Sequence, residues 1–335
     1  MLLSILDQSP VAEGSTGAEA LRNTLDLARL ADDLGYHRYW VAEHHGGPML
    51  AGPSPEALIG PIAAATRRLR VGSGGVMLPH YSPLKVAETF SVLSGLYPGR
   101  IDLGIGRAAG TDPMTTFALQ RDRRDAAPDD FPEQLHELLA LLTDSLPAAH
   151  PFARLGATLP GRPESPAPWL LGSSEQSAIW AGELGLPYAF ADFINPGGVA
   201  AASLYREHFA PSRWLEQPRV AVAAWAIAAE SGGQAERLAS SSLMAMRMLR
   251  RGRLIAVPPV AKALRFLEQD GPGPGGRRLV LGSPPKVRSE LEALAEGYGA
   301  GEVIVVSITH DHGARRRSYE LLAEEFALVA TPVAY

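Results

Sequence analysis

Residues 71–111 have the sequence VGSGGVMLPHYSPLKVAETFSVLSGLYPGRIDLGIGRAAGT, which combines a strand, a helix and a second strand. The apolar run at each end suits a strand that is buried on both faces, as in parallel sheets. Between the two strands, Ser82 and Pro83 supply an N-cap and a first-turn residue for a helix that ends before Pro98 and Gly99. The stretch therefore predicts one strand–helix–strand unit with parallel strands.

The same alternation continues towards both ends of the chain. Strands are predicted at residues 2–6, 38–41, 69–77, 101–105, 168–171, 186–190, 220–228 and 302–307. Amphipathic helices lie between them; Gly35 ends the first, and Ser174 is a candidate cap for a later one. Eight such units predict either a barrel or a doubly wound sheet. The length of 335 residues is compatible with one barrel domain.

Two segments rich in proline interrupt the alternation, at residues 143–167 and 251–284. The second contains Pro258-Pro259 and the run GPGPGG at residues 271–276. Long loops inside a compact domain are commonly functional or disordered. We predict a long insertion near the C-terminal third, with residues 251–284 as a mobile lid over the active site. An inert surface insertion is the alternative.

Composition excludes several classes of function. The net charge is −5 with no run of like charge, so neither nucleic acid nor an anionic membrane is an expected partner. The N-terminus lacks a basic region before its short apolar run, and no apolar stretch of roughly 18 residues follows. We therefore expect a cytoplasmic protein. The absence of cysteine excludes thiol nucleophiles, iron–sulfur clusters and thiolate-ligated haem.

Polar residues directly after the predicted strands are the candidates for chemistry, because barrel enzymes place their working groups there. Gly172-Ser173-Ser174 follows the fifth strand and opens a helix, so its backbone N–H groups form a candidate anion site. Ser177 adds a hydroxyl one turn later, and Arg107 supplies the charge that a phosphate requires. A simple helix cap is the alternative interpretation.

The triplet Glu43-His44-His45 follows the second strand. A histidine at a barrel mouth suits proton transfer near neutral pH. The neighbouring carboxylate could fix its tautomer or pair with Arg107. A structural hydrogen-bond cluster is an equally good interpretation.

Two further motifs are given structural interpretations. Residues 104–109 fit the GxGxxA form of the dinucleotide fingerprint, but they follow the fourth strand, and we interpret them as a tight glycine turn. His310-Asp311-His312 suggests a metal, yet no further ligand set accompanies the pair. Asp311 is better explained as a helix N-cap, so no metal site is predicted.

In this order, the motifs resemble the bacterial luciferase-like flavin-dependent monooxygenases. Four parts of the chain carry the resemblance, and together they span nearly its whole length. They are residues 71–111, residues 43–45, LGSSEQSAIWAGELGLPYAF at 171–190, and GSPPKV at 282–287 with GAGEVIVVS at 299–307. The resemblance implies an α/β fold with a single (β/α)8 TIM barrel over residues 1–335.

The resemblance also implies roles for individual residues. His44 matches the catalytic histidine, and Gly74-Gly75 matches a pair joined by a non-prolyl cis peptide. Arg107 matches a phosphate-contacting arginine, which one of Arg121, Arg123 or Arg124 could supplement. The predicted cofactor-binding residues are Glu43, Gly74, Gly75, Arg107, Ser173, Ser174 and Ser177.

The implied activity is that of an FMNH2-dependent two-component monooxygenase. A separate flavin reductase supplies reduced FMN, O2 adds to give a flavin C4a-hydroperoxide, and an organic small-molecule substrate is oxygenated. The likeness is greatest to oxygenases of secondary metabolism in the mensacarcin-type polyketide-tailoring branch, which implies an aromatic or polyketide substrate. A homodimer is also implied. An F420-dependent oxidoreductase and a non-enzymatic flavin-binding barrel are the alternatives.

One departure from the family's pattern concerns the pocket. Gly106 stands where bacterial luciferase has a cysteine beside the flavin, which argues against light emission. His80, Tyr81 and Phe193 could shape an aromatic substrate site or could simply pack.

Overall fold

The computed structural model describes residues 1–107, 112–120, 129–271 and 277–330. Within these ranges the strands are β1 (Leu2–Asp7), β2 (Arg38–Val41), β3 (Arg70–Met77), β4 (Ile101–Gly106), β5 (Ala167–Gly172), β6 (Tyr188–Ala191), β7 (Val220–Ala228), β8 (Leu279–Gly282) and β9 (Glu302–Val306). The helices are α1 (Gly17–Leu34), α2 (Pro55–Ala65), α3 (Pro83–Leu96), α4 (Pro113–Leu119), α5 (Phe131–Thr143), α6 (Glu175–Glu183), α7 (Val199–Glu207), α8 (Gly232–Arg250), α9 (Val260–Asp270), α10 (Pro284–Tyr298) and α11 (His312–Glu325).

Eight of the strands close into a parallel barrel with helices around it. Strands β1 to β7 pair in order, and β9 closes the ring because it pairs with both β7 and β1. All these pairings are parallel. The predicted (β/α)8 TIM barrel and its eight strands are thus confirmed.

Strand β7 has three partners, and one of them was not predicted. Its first residues pair with β6 and its middle with β9, whereas Trp225 to Ala228 pair with β8. Trp225 has Leu279 of β8 on one side and Val306 of β9 on the other. Strand β8 therefore pairs with the same edge of β7 as β6 does, but with the part of β7 that extends beyond the end of β6. Every residue of β7 is buried, as a strand with neighbours on both edges and both faces requires.

The segment at residues 251–284 is more regular than its composition predicts. Helix α9 and strand β8 occupy much of it, so the predicted insertion is not one continuous loop. Val257 binds the segment to the mouth, because its backbone exchanges hydrogen bonds with Val11 and Glu13 at 2.8 Å. Residues 272–276 lie outside the described residues. The role of the segment as a lid stays a prediction.

The other proline-rich segment, at residues 143–167, lies at the opposite end of the barrel. It connects the end of α5 to the start of β5, and Gly156–Thr158 forms one 3-10 turn within it. It therefore lies away from the strand tips where the site was expected.

Helix ends follow the capping rules that the sequence suggested. Gly35 ends α1 with a φ of 86°, and a Cβ there would lie 2.6 Å from the backbone of Val329. Ser174 caps α6, and Asp311 caps α11 by accepting from the backbone N–H of Ala314. In the part of the chain that the structure describes, no helix has the length and apolar character needed to span a membrane.

A buried charge network fills the N-terminal end of the barrel. Arg38 lies 2.5 Å from both Asp102 and Glu302, and all three side chains are almost completely buried. Its guanidinium also stacks over Trp169, with 4.7 Å between the guanidinium carbon and the ring centroid. Ser4 donates to Glu302 at 2.5 Å. The network separates this end of the barrel from the mouth at the other end.

Candidate active site

A cavity of about 400 Å³ opens at the C-terminal ends of the strands. The last residues of β3, β4, β5 and β6 line it, namely Met77, Gly106, Gly172 and Ala191. Apolar side chains make most of its wall, and its deep part reaches Leu6, Trp40 and Ile304 inside the barrel. Such a cavity, apolar with few polar groups, is the usual form of a cofactor or small-molecule site.

The polar corner of the cavity is the turn between β5 and α6. Ser174 accepts a hydrogen bond from the backbone N–H of Ser177 at 3.3 Å. The Ser177 hydroxyl donates to the carbonyl of Ser174 at 2.8 Å and contacts the Tyr188 hydroxyl at 2.9 Å. Ser173, Ser174 and Ser177 all line the cavity, so three hydroxyls and the first N–H groups of a helix meet there.

Gly172 makes this turn possible. A Cβ at that position would lie 2.0 Å from the Ser177 hydroxyl oxygen and 2.4 Å from its Cβ. Any larger residue would therefore push the start of α6 away from the end of β5. The glycine in the Gly-Ser-Ser motif is needed for close approach between strand and helix.

Arg107 supplies the charge beside this turn. It follows the last residue of β4 and lines the same cavity. Its side chain is 49% exposed, and one guanidinium nitrogen lies 2.6 Å from the carboxylate of Asp129. The guanidinium carbon is 5.6 Å from the ring centroid of Trp180. The corner thus combines a cation with hydroxyl and N–H donors, which suits a phosphate. Arg121, Arg123 and Arg124 lie outside the described residues.

Gly74 and Gly75 form part of the deep wall. A non-prolyl cis peptide joins them, as the sequence resemblance predicted. The pairing of β3 with β4 shifts register between Ser73 and Val76, where these glycines lie. A Cβ on Gly74 would lie 2.6 Å from the Leu6 side chain, so the barrel interior leaves no room for one.

Glu43 does not occupy the place that the sequence suggested. Its carboxylate is completely buried and accepts from His45 Nε2 at 2.7 Å, Tyr81 Oη at 3.1 Å and the backbone N–H of Met77 at 2.9 Å. It pairs with neither His44 nor Arg107, and it is not among the residues that line the cavity. The role of Glu43 as a cofactor-binding residue stays a prediction; in this structure its oxygens bind His45, Tyr81 and the end of β3.

His44 follows β2 at the mouth but does not line the cavity either. Its backbone N–H donates to the carbonyl of Gly52 at 2.9 Å, and its Nδ1 is buried without a protein partner. Burial, and then the nearby His45, lower the pKa of His44 to about 4. The imidazole of His44 is therefore neutral at pH 7 in this structure.

This low pKa has a consequence for folding that can be measured. An unfolded histidine has a pKa near 6.5, so between about pH 6.5 and 4 the unfolded chain holds a proton at residue 44 that the folded chain lacks. The free energy of unfolding should fall as pH is lowered through this window. Urea denaturation at pH 7.5 and pH 5 should show a smaller pH dependence in His44→Gln than in the unchanged protein. Equal pH dependence in both would contradict the low pKa.

The remaining candidate residues have clear positions. Phe193 lines the cavity, as one interpretation predicted. Tyr81 and His80 pack instead: Tyr81 binds Glu43, and the His80 ring meets the His45 ring edge-on at 5.8 Å between centroids. His310 contacts the carbonyl of Glu13 and His312 contacts Asp26. Among the described residues, no cluster of three or more His, Cys, Asp or Glu could hold a metal ion.

Comparison with known proteins identifies the family. The model of the luciferase-like monooxygenase family matches residues 1–332. The chain belongs to the luciferase-like monooxygenase family. A luciferase-like monooxygenase of Escherichia coli K12 is 43% identical over 323 residues, which cover 95% of each chain. The N-acetyl-S-alkylcysteine monooxygenase of Bacillus subtilis is 37% identical over 334 residues, covering 96% of this chain and 97% of the relative.

Solved structures agree with this assignment. Apo-MsnO8 is 44% identical, with a TM-score of 0.89 and 98% of both chains covered. More distant structures share the fold alone. They include the oxygenating constituent of 3,6-diketocamphane monooxygenase from Pseudomonas putida, in complex with FMN, at 20% identity, a TM-score of 0.71 and 97% coverage of both chains. An F420-dependent secondary alcohol dehydrogenase is similar at 14% identity and a TM-score of 0.67, with 98% of this chain and 99% of that chain covered.

Several residues in the cavity of this luciferase-like chain, or in contact with its lining, were not found from the sequence. Trp180 lies three residues after Ser177 on α6, so helical spacing from the serine could have indicated it. Asp129 precedes α5, and no pattern links it to Arg107. Asn195 donates from its side chain to the carbonyl of Ser173 at 2.9 Å, across a separation of 22 residues. Only the folded chain brings these side chains to the serine turn.

Proposed function

We propose that this luciferase-like monooxygenase is an FMNH2-dependent two-component enzyme that uses O2 to oxygenate an organic substrate. The observation that carries the proposal is the form of the cavity, which joins an apolar interior to one corner with serine hydroxyls, helix N–H groups and Arg107. FMN has the same division, with an aromatic ring system at one end and a phosphate at the other.

The residues present fit this cofactor. Ser173, Ser174, Ser177 and Arg107 would hold the phosphate, and the apolar wall around Trp40 would surround the ring. Gly74 and Gly75 leave the deep wall flat enough for a planar group. When bound, reduced flavin supplies the activation of O2, while the protein binds and orients the reactants and excludes water.

The substrate and partners are further parts of the proposal. The apolar lining, which includes Phe131, Trp180 and Phe193, supports an uncharged aromatic or polyketide-like substrate. A flavin reductase would deliver FMNH2 by diffusion or brief contact, and the active form would be a homodimer. His44 is proposed as the residue that handles protons near the reacting atoms.

Titration with three ligands tests the proposed function. Calorimetry or fluorescence with FMN, reduced FMN and F420 should show binding of FMN in both redox states and little binding of F420. Addition of a reductase and NADH should then support oxygen uptake that depends on an organic substrate. Preference for F420 would make the chain a deazaflavin oxidoreductase, and tight flavin binding without substrate-dependent oxygen uptake would indicate a non-enzymatic flavin carrier.

Replacing the arginine at the cavity corner should separate phosphate binding from ring binding. Arg107→Met removes the cation and keeps an apolar stem of similar length. Because hydrogen bonds to charged groups contribute about 1.5–3 kcal/mol, we expect the Kd for FMN to rise about 10- to 100-fold. The Kd for riboflavin, which lacks the phosphate, should change by no more than about twofold.

The matched control for this substitution is Arg22→Met on α1. Arg22 is also exposed and also pairs with a carboxylate, Glu19, but it lies outside the cavity. Its removal should leave both affinities unchanged. An equal loss of FMN and riboflavin binding in Arg107→Met would remove Arg107 from the phosphate site.

A further inference from the structure

The guanidinium of Arg107 has two partners of different kinds. Asp129 contacts one nitrogen at 2.6 Å, whereas the guanidinium carbon lies over the ring of Trp180, 5.6 Å from its centroid. An arginine stacked on an aromatic ring keeps its N–H edge free for an anion. The ion pair uses one guanidinium nitrogen and the ring contact does not involve a hydrogen bond, so another anion can replace Asp129 while Trp180 stays in place.

The aromatic partner is held firmly in place. Trp180 lies on α6, the helix that begins at Ser174, and its ring packs against Phe131 with 5.5 Å between centroids. Phe131 is buried and is the first residue of α5. The indole is therefore fixed between two helices and keeps the stacked guanidinium beside the serine turn.

The acidic partner is held weakly. Asp129 is 69% exposed, and exposed ion pairs of this kind contribute little to stability. Its carboxylate occupies one guanidinium nitrogen of Arg107, which an incoming phosphate would otherwise use as a donor. It also carries the same sign of charge as a phosphate, so the two anions oppose each other at close range.

We propose that Asp129 is an internal competitor for the phosphate of the cofactor and that Trp180 is a positioning residue that keeps Arg107 at the phosphate site. This inference rests on the proposed function, because it assigns the phosphate to that corner. Asp129 weakens cofactor binding, and Trp180 strengthens it. An enzyme that takes reduced flavin from a reductase and later returns the oxidised form benefits from such moderated affinity.

Two substitutions with opposite expected effects test the inference. Asp129→Asn keeps the size of the side chain and removes its charge, so the Kd for FMN should fall about three- to tenfold. Trp180→Leu removes the stacked ring, so the same Kd should rise about three- to tenfold, and Trp180→Phe should restore part of the loss. Binding of riboflavin should change little in all three variants.

Dissociation rates give a second readout. Stopped-flow displacement of FMN should be slower from Asp129→Asn and faster from Trp180→Leu than from the unchanged protein. The control is Asp33→Asn, which removes an exposed carboxylate paired with Arg68 outside the cavity and should change nothing. Asp129→Ala serves as a second variant if the asparagine disturbs the start of α5.

The outcomes separate this inference from the proposed function. If the unchanged protein binds FMN and Asp129→Asn binds it equally or more weakly, the internal competitor is disproved. If Trp180→Leu alters FMN and riboflavin binding alike, the positioning role is disproved. If the unchanged protein binds no flavin, the proposed function fails. The competition at Arg107 can then still be tested with inorganic phosphate. Tighter phosphate binding by Asp129→Asn would support competition by Asp129, and unchanged phosphate binding would disprove it.

Discussion

His44→Ala should lower the rate of substrate oxygenation by about 100- to 10,000-fold, because a positioned proton-transfer group contributes that much to a rate. The Kd for reduced FMN should stay within about a few fold of its original value. The second expectation follows from the structure, in which His44 is at the barrel mouth but is not part of the cavity wall. Its Nδ1 has no protein partner and burial keeps the ring neutral, so His44 can exchange a hydrogen bond or a proton with a bound reactant, although its low pKa makes it a weak base.

The measurement for His44→Ala should separate product formation from oxygen use. Product is quantified by mass spectrometry with labelled O2, and hydrogen peroxide is measured in the same samples. His136→Ala is the matched control, since His136 is an exposed histidine on α5 whose ring binds the carbonyl of Pro132 on the same helix. Unchanged product formation in His44→Ala would remove this histidine from the mechanism.

Arg38→Met should lower the free energy of unfolding by about 3–5 kcal/mol, a large loss of stability for a single substitution. The guanidinium of Arg38 lies between Asp102 and Glu302, all of them inside the barrel. Without it, Asp102 keeps Arg70 at 2.5 Å, whereas Glu302 keeps the Ser4 hydroxyl but has no second cation among the described residues. A buried carboxylate would thus lose its counter-charge, which costs far more than the loss of an exposed ion pair.

Urea denaturation of two further variants tests this explanation. Arg22→Met removes an exposed ion pair, in which the side chain of Arg22 is 67% exposed and that of Glu19 is 52% exposed. It should change the free energy of unfolding by less than about 1 kcal/mol. The double variant Arg38→Met with Glu302→Gln should recover part of the lost stability, because no isolated charge remains. A double variant less stable than Arg38→Met would show that lost packing, and not the uncompensated carboxylate, explains the effect.

The barrel could be predicted from the sequence because its strands are continuous apolar runs separated by capped helices. Strand β8 was missed because LVLG at residues 279–282 directly follows a glycine- and proline-rich run that indicates a loop. It pairs with Trp225 to Ala228 of β7, where β7 extends past β6. Nothing local to residues 279–282 indicates that pairing.

The serine turn and Arg107 could be predicted because each directly follows a strand, and strand tips meet at one end of a parallel barrel. The hydrogen-bond partner of Glu43 could not be predicted. Two histidines follow it in sequence, and the backbone path after β2 determines that His45, not His44, reaches the carboxylate. Asp129 and Asn195 contact the site from loops, where spacing along the chain does not indicate which side chains come together.

Strand β7 pairs with β6 only as far as Ala223, yet it continues to Ala228. At about 3.3 Å per residue the barrel wall is roughly 15 Å taller at β7 than where β6 leaves it. The mouth is therefore bordered beside β7 by a taller part of the wall, to which β8 adds a second strand. On the proposed function, FMN would pass Arg107 and the serines that line the cavity with its ring leading, and its phosphate would engage last. The phosphate contacts would then slow dissociation without changing association. FMN and riboflavin should therefore have similar association rates and different dissociation rates.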